Sequence, residues 1–174
     1  MDIEEFNRLN DHAAGSLLMT CLAVPRWVDE VLSGRPYATT PALVTAAGER
    51  ASTLTAEEVE AALARHPRIG ERAGDGHDAE FSEREQAGFN REDADLASAM
   101  ALGNVEYERR FGRVFLIRAA GRSAEEILAE LRRRLANTPA AEVGEVVQEL
   151  GAIAVLRLEQ LVSQSEYAGK DGEE

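Results

Sequence analysis

A single cysteine, Cys21, rules out an internal disulfide framework and suits a reducing compartment. Histidine is nearly as scarce, with only His12, His66 and His77. His12 and His77, with Asp75, match no metal-ligand spacing, so no metal site is expected. Apolar runs fall far short of the ~20 residues that span a bilayer, and no charged-then-apolar leader opens the sequence. The expectation is a cytoplasmic protein with no membrane partner. Basic residues are also in deficit, with 19 Lys and Arg against 32 Asp and Glu and a formal charge of −13. Such a surface repels nucleic acid and anionic membranes. It repels an anionic substrate as well, unless arginines gather locally. The plainest use of the acidity is solubility.

What is present is a globular composition, 44% apolar over 174 residues. A chain of this length makes one domain and buries ~70% of its unfolded surface. One domain is expected over residues 1–164, followed by a disordered acidic tail over 165–174. The patterning is helical nearly throughout. Ile3 to Leu9 reads as a short helix, and Leu17 to Leu22 as a second apolar piece ended by Pro25. Trp27, Val28, Val31 and Leu32 line one face of a helix that Gly34 and Pro36 terminate. Pro41 to about Leu54 follows, with proline in a tolerated first-turn position. Thr55-x-x-Glu58 is a capping-box pattern opening a helix from Ala56 to His66.

Three glycines and two aspartates make Gly70 to Asp78 a loop. Ser82-x-x-Glu85 opens a helix to about Arg91, and a longer one runs from Asp93 to Phe111, closed by Gly112. Val114 to Ile117 is apolar, too short for a helix and without a partner strand, so it is read as extended and irregular. Ser123-x-x-Glu126 starts a helix to Leu135, and the last helix spans Ala141 to Val162. The fold class is therefore all-α, with about eight helices.

Several residues stand out against these patterns. Val59, Leu63 and His66 lie at i, i+4 and i+7, so the imidazole belongs to an apolar face. Pro67 ends the helix at His66, where the helix dipole favours the protonated ring by ~0.3–1 kcal/mol. An ordinary histidine pKa near neutrality suits proton transfer in both directions. The alternative is a hydrogen-bonded core histidine beside a helix stop. Glu85 completes the capping box with Ser82, yet Gln86 sits where an apolar staple partner is usual, leaving a polar group to face a ligand. Arg157 falls inside the apolar stripe of Val146, Leu150, Ile153, Ala154, Leu158 and Leu161. It must snorkel, form an ion pair or serve a site. Arg118 is either a surface cap or a site residue.

His66-Pro67-Arg68-Ile69-Gly70, with Ser82-x-x-Glu85-Gln86 beyond it, resembles the OHCU decarboxylase family of urate breakdown. That family acts on 2-oxo-4-hydroxy-4-carboxy-5-ureidoimidazoline (OHCU). Trp27 with Arg35-Pro36-Tyr37, Phe111 to Arg118, and Leu156-Arg157-Leu158 resemble it too, in the same order. The resemblance implies decarboxylation of OHCU to (S)-allantoin without a cofactor, by a homodimer. It implies His66 as the acid/base, with Glu85 and Gln86 holding the ureido and ring amides. Ser82 and Pro67 shape the pocket, and the backbone of Leu116, Ile117, Arg118, Ala119 and Ala120 contacts substrate. Arg157 is read as positioning Glu85 or a ring oxygen, because a tight clamp on the leaving carboxylate would stabilise the ground state. The rival class is a non-catalytic all-α interaction module that kept the fold. A metal-assisted hydrolase would need a ligand set that the sequence lacks.

Overall fold

The computed structural model of the chain describes residues 1–64, 69 and 94–162. Among them are eight α-helices and no strand, the all-α class expected. In order they are α1 (Ile3–Arg8), α2 (Asp11–Cys21), α3 (Pro25–Ser33), α4 (Thr40–Ala51), α5 (Ala56–Leu63), α6 (Ala94–Phe111), α7 (Ala124–Arg134) and α8 (Pro139–Val162). The expected Gly70–Asp78 loop, the helix beginning at Ser82 and the acidic tail over 165–174 lie outside the described residues.

Side-chain caps set most helix starts. The boxes Thr55–Glu58 and Ser123–Glu126 both close reciprocally at α5 and α7, and each such cap contributes ~1 kcal/mol. Several boundaries differ from expectation, among them the end of α4, which stops at Ala51 rather than about Leu54. Helix α2 starts at Asp11 rather than Leu17, because Asn10 accepts a hydrogen bond from the Ala13 amide. Its first turns are polar or small and bury only Ala14, so periodicity gave little sign of them. Helix α8 starts at Pro139 rather than Ala141, because the Thr138 hydroxyl accepts from the Ala141 amide and proline suits a first turn. Helix α5 ends at Leu63 instead of reaching His66. Ala64 is its C-cap, its amide returning to the Glu60 carbonyl, and the expected end at His66 lies outside the described residues.

The chain gathers into two compact units. The first comprises Met1–Leu54 and the chain from Gly151 onward. Here α3 packs against α2 and α4. Trp27 is fully buried, and its indole N–H donates to the Ala47 carbonyl at 2.9 Å, joining α3 to α4. Truncating a tryptophan so placed costs ~3–5 kcal/mol. The Arg35-Pro36-Tyr37 turn is held by the Asn7 side chain of α1 and by backbone carbonyls of α1, Leu9 and α3. Asn7 donates to the Tyr37 carbonyl and accepts from its amide, at 2.8 and 3.0 Å. The Tyr37 hydroxyl donates to the Val31 carbonyl. Arg35 donates to the carbonyls of Phe6 and Leu9 and pairs with Asp11, satisfying the open C-terminal end of α1. This motif is architectural.

The second unit is Thr55–Leu150. Helices α6 and α7 pack closely there, and Gly103 is the point of approach: a Cβ added to it would lie 2.5 Å from Leu131 Cδ2. The core joins Ile69, Met100, Tyr107, Phe115, Ile127 and Leu131. Tyr107 stands edge-on to Phe115, with centroids 5.2 Å apart. Met100 is thus internal, whereas Leu102 and Val105 on the same helix are 73% and 67% exposed.

Candidate active site

Residues 114–119 join α6 to α7 as neither helix nor paired strand. Gly112, with φ of +70°, closes α6 in the left-handed region that glycine enters without steric penalty. The chain then turns inward, burying Phe115, Leu116, Ile117 and Ala119. An irregular segment at this depth must find partners for its backbone. Two are charged side chains. Arg134 Nη1 donates to the Leu116 carbonyl at 2.7 Å, and Glu149 Oε2 accepts from the Arg118 amide at 2.7 Å. Among the described residues nothing pairs with the amide or carbonyl of Ile117 or with the amide of Ala119.

Arg134 is itself fully buried at the end of α7. Its Nε and Nη2 donate to Glu142 Oε1 at 2.8 and 2.5 Å. The Tyr107 hydroxyl donates to the same oxygen, and Asn137 donates to Oε2 at 2.8 Å. The guanidinium also lies 4.8 Å over the Phe115 ring. Burial, then the hydrogen bond to Glu142, pushes the Tyr107 hydroxyl well above the usual phenol range, so it stays protonated as a donor. A fully satisfied network of this kind makes the backbone position of Leu116 rigid.

The Arg118 side chain turns back to the Ala120 carbonyl at 3.4 Å and so braces its own loop. In the first unit, Arg157 on α8 is 2% exposed and donates to the Thr20 carbonyl at 3.4 Å. It neither snorkels to solvent nor stands alone. Its charge is felt by Cys21, whose thiol burial pushes up to about 12 while Arg157 pulls the other way. His66, Pro67, Ser82, Glu85 and Gln86 lie outside the described residues. Near them in sequence, Asn104 on α6 donates to the buried carbonyl of Ile69 at 3.2 Å. Of the candidates, Leu116 to Ala120 form one continuous segment, with Leu116, Ile117 and Ala119 buried and Arg118 and Ala120 half-buried.

The sequence reading overlooked Arg134, Glu142 and Glu149. A signal for the first two existed. Ile127, Leu131 and Arg134 fall at i, i+4 and i+7, the same stripe anomaly that exposed Arg157, and Glu142 lies one turn before Val146 on its own stripe. Arg132 and Arg133 disguised the first, since basic residues are ordinary in a helix's last turn.

The described residues define an all-α fold, with an irregular segment whose Leu116, Ile117 and Ala119 are buried. Residues 7–159 match the OHCU decarboxylase family model, and the chain belongs to that family. It is 32% identical to the 2-oxo-4-hydroxy-4-carboxy-5-ureidoimidazoline decarboxylase of Amia calva, covering 93% of this chain and 95% of that protein. It is 26% identical to the uric acid degradation bifunctional protein of Bacillus sp. (strain TB-90), covering 95% of this chain but only 33% of that longer one. The fold is similar to the crystal structure of an OHCU decarboxylase determined in the presence of (S)-allantoin. There the TM-score is 0.69 at 23% identity, over 89% of this chain and 99% of the other.

Proposed function

We propose that this chain is a carboxy-lyase that converts OHCU to (S)-allantoin in urate degradation, as a cytoplasmic homodimer. The observation that carries the reading is membership of the OHCU decarboxylase family over residues 7–159, which also supports one functional domain over 1–164. The chemistry needs no cofactor. When the carbon–carboxylate bond breaks, its electron pair moves into the ring's own C=N bond, so the substrate is its own electron sink. The enol-like ring that results then takes a proton on one face.

His66 delivers that proton, while Glu85 and Gln86 hold the ureido and ring amides and Ser82 and Pro67 shape the pocket. The free backbone groups of Ile117 and Ala119 suit the N–H and C=O edge of an imidazoline ring or ureido group. Arg157 positions Glu85 or a ring oxygen. The pocket takes the small-molecule substrate, and neither nucleic acid nor membrane is a partner. Solvent-facing Leu102 and Val105 support self-association through α6.

The test is to generate OHCU in a cuvette, add the protein and follow the ultraviolet decay, then record circular dichroism of the product. Accelerated decay that survives exhaustive chelation, giving one allantoin enantiomer, is expected. Decay at the spontaneous rate overturns the activity. Racemic product formed at an enzyme-dependent rate removes His66 as the proton donor.

A further inference from the structure

The two charged anchors on the Leu116–Arg118 backbone have a geometry that packing alone does not require. They come from different helices, Arg134 from the end of α7 and Glu149 from the middle of α8. They grip complementary groups on either side of Ile117: the carbonyl before it, at 2.7 Å, and the amide after it, at 2.7 Å. Ile117 is held between them while its own amide and carbonyl stay unpaired among the described residues, although the residue is only 5% exposed. A buried backbone pair left open beside two occupied ones is a costly arrangement unless a ligand or an ordered water completes it.

The surroundings of each anchor keep it from moving. Arg134 is locked by Glu142, which is locked in turn by Tyr107 and Asn137. Glu149 divides its carboxylate between the Arg118 amide and Arg122 Nη2, 3.7 Å from its other oxygen. Rotation of the peptide on either side of Ile117 would break one anchor or the other. The open donor and acceptor therefore face one direction only, as required for gripping a flat amide edge in one orientation.

We infer that Arg134 and Glu149 are positioning residues for the decarboxylation, acting through the backbone of Leu116 and Arg118 to aim the open groups of Ile117 at the substrate's amide edge. This rests on the proposed activity and on the reading of the 116–120 backbone as a substrate contact. Neither anchor touches substrate. Their effect falls on orientation, hence on KM and on the stereochemical purity of the product.

Glu149→Ala and Glu149→Gln test it most cleanly, because this side chain lies nearer the surface than Arg134 and its loss leaves the core intact. The measurements are kcat and KM on freshly generated OHCU, enantiomeric excess of the allantoin, and Tm. Glu149→Ala should lower kcat/KM by roughly tenfold or more, chiefly through KM, and erode enantiomeric excess with little change in Tm. Glu149→Gln keeps an oxygen acceptor and should restore most of both. Arg134→Lys, which keeps the charge but loses the fork, should lower kcat/KM in the same way if it folds. Unchanged kcat/KM and enantiomeric excess in folded Glu149→Ala overturns the inference. So does equal damage in Glu149→Gln, since the ion pair with Arg122 would then be what matters. Ile117→Pro, which deletes the open amide, separates the layers. Wild-type KM in that variant removes the segment from substrate binding, and an inactive wild-type chain removes the decarboxylase reading, each taking this inference with it.

Discussion

Arg134 and Glu142 form an ion pair from which water is excluded, each side chain being 1% exposed. Arg133, the preceding residue, grips Glu130 and Glu145, yet its side chain is 47% exposed. The two neighbours make similar bonds in opposite surroundings, and burial decides which matters. Removing one partner of a buried pair leaves an uncompensated charge and costs ~3–5 kcal/mol, whereas a surface pair contributes ~0–1 kcal/mol. Urea denaturation should therefore find Glu142→Gln strongly destabilised and Arg133→Ala within ~1 kcal/mol of wild type. Arg134→Met with Glu142→Leu should lose less than the sum of the two single changes. Additive losses would mean the two do not act as a pair.

Cys21 carries a pH dependence of definite sign. Its thiol is raised from 9.0 to about 12 by burial. Below the unfolded value both states are protonated and this contribution is fully present. As pH climbs from about 9 towards 12 the unfolded thiol ionises while the folded one resists, so stability falls. Chemical denaturation between pH 8 and 11 should show that decline, and Cys21→Ala should reduce it, leaving the part owed to the buried Tyr107 phenol. The same burial keeps the thiol unreactive, so a thiol reagent should label it only as the protein opens. Rapid labelling of the native protein at neutral pH would contradict this.

His66→Asn should abolish turnover of OHCU while leaving Tm close to wild type. Loss of general acid/base work lowers rates ~10²–10⁴-fold, whereas a histidine expected at a helix terminus contributes modestly to folding. Near-normal activity in a folded variant would take His66 out of the mechanism, and failure to fold would mark it as a core residue.

Self-association should run through the outer side of α6. Light scattering at high micromolar concentration should give the mass of a dimer, and Leu102→Glu with Val105→Glu should reduce it to a monomer without loss of helicity. Met100 substitutions should instead destabilise the fold, since that side chain is internal. A monomeric wild-type chain would refute the dimer.

Local signals in the sequence determined the helices themselves. Thr55 with Glu58, Ser123 with Glu126, and Gly112 each act within one turn, so their hydrogen bonds follow from spacing alone. The stripe containing Trp27 and Val31 likewise assigned a buried face. Arg157 was legible as an anomaly because a charge in an apolar stripe violates a local rule. The partners of such charges are a different matter. That Arg134 would find Glu142, Tyr107 and the Leu116 carbonyl, or that Glu149 would take the Arg118 amide, depends on where separate helices meet. No spacing encodes that meeting. It also decided that Met100 is internal while Leu102 is exposed, two residues apart on one helix. Helical periodicity names the faces, but only packing against α7 chose which of them the core would take.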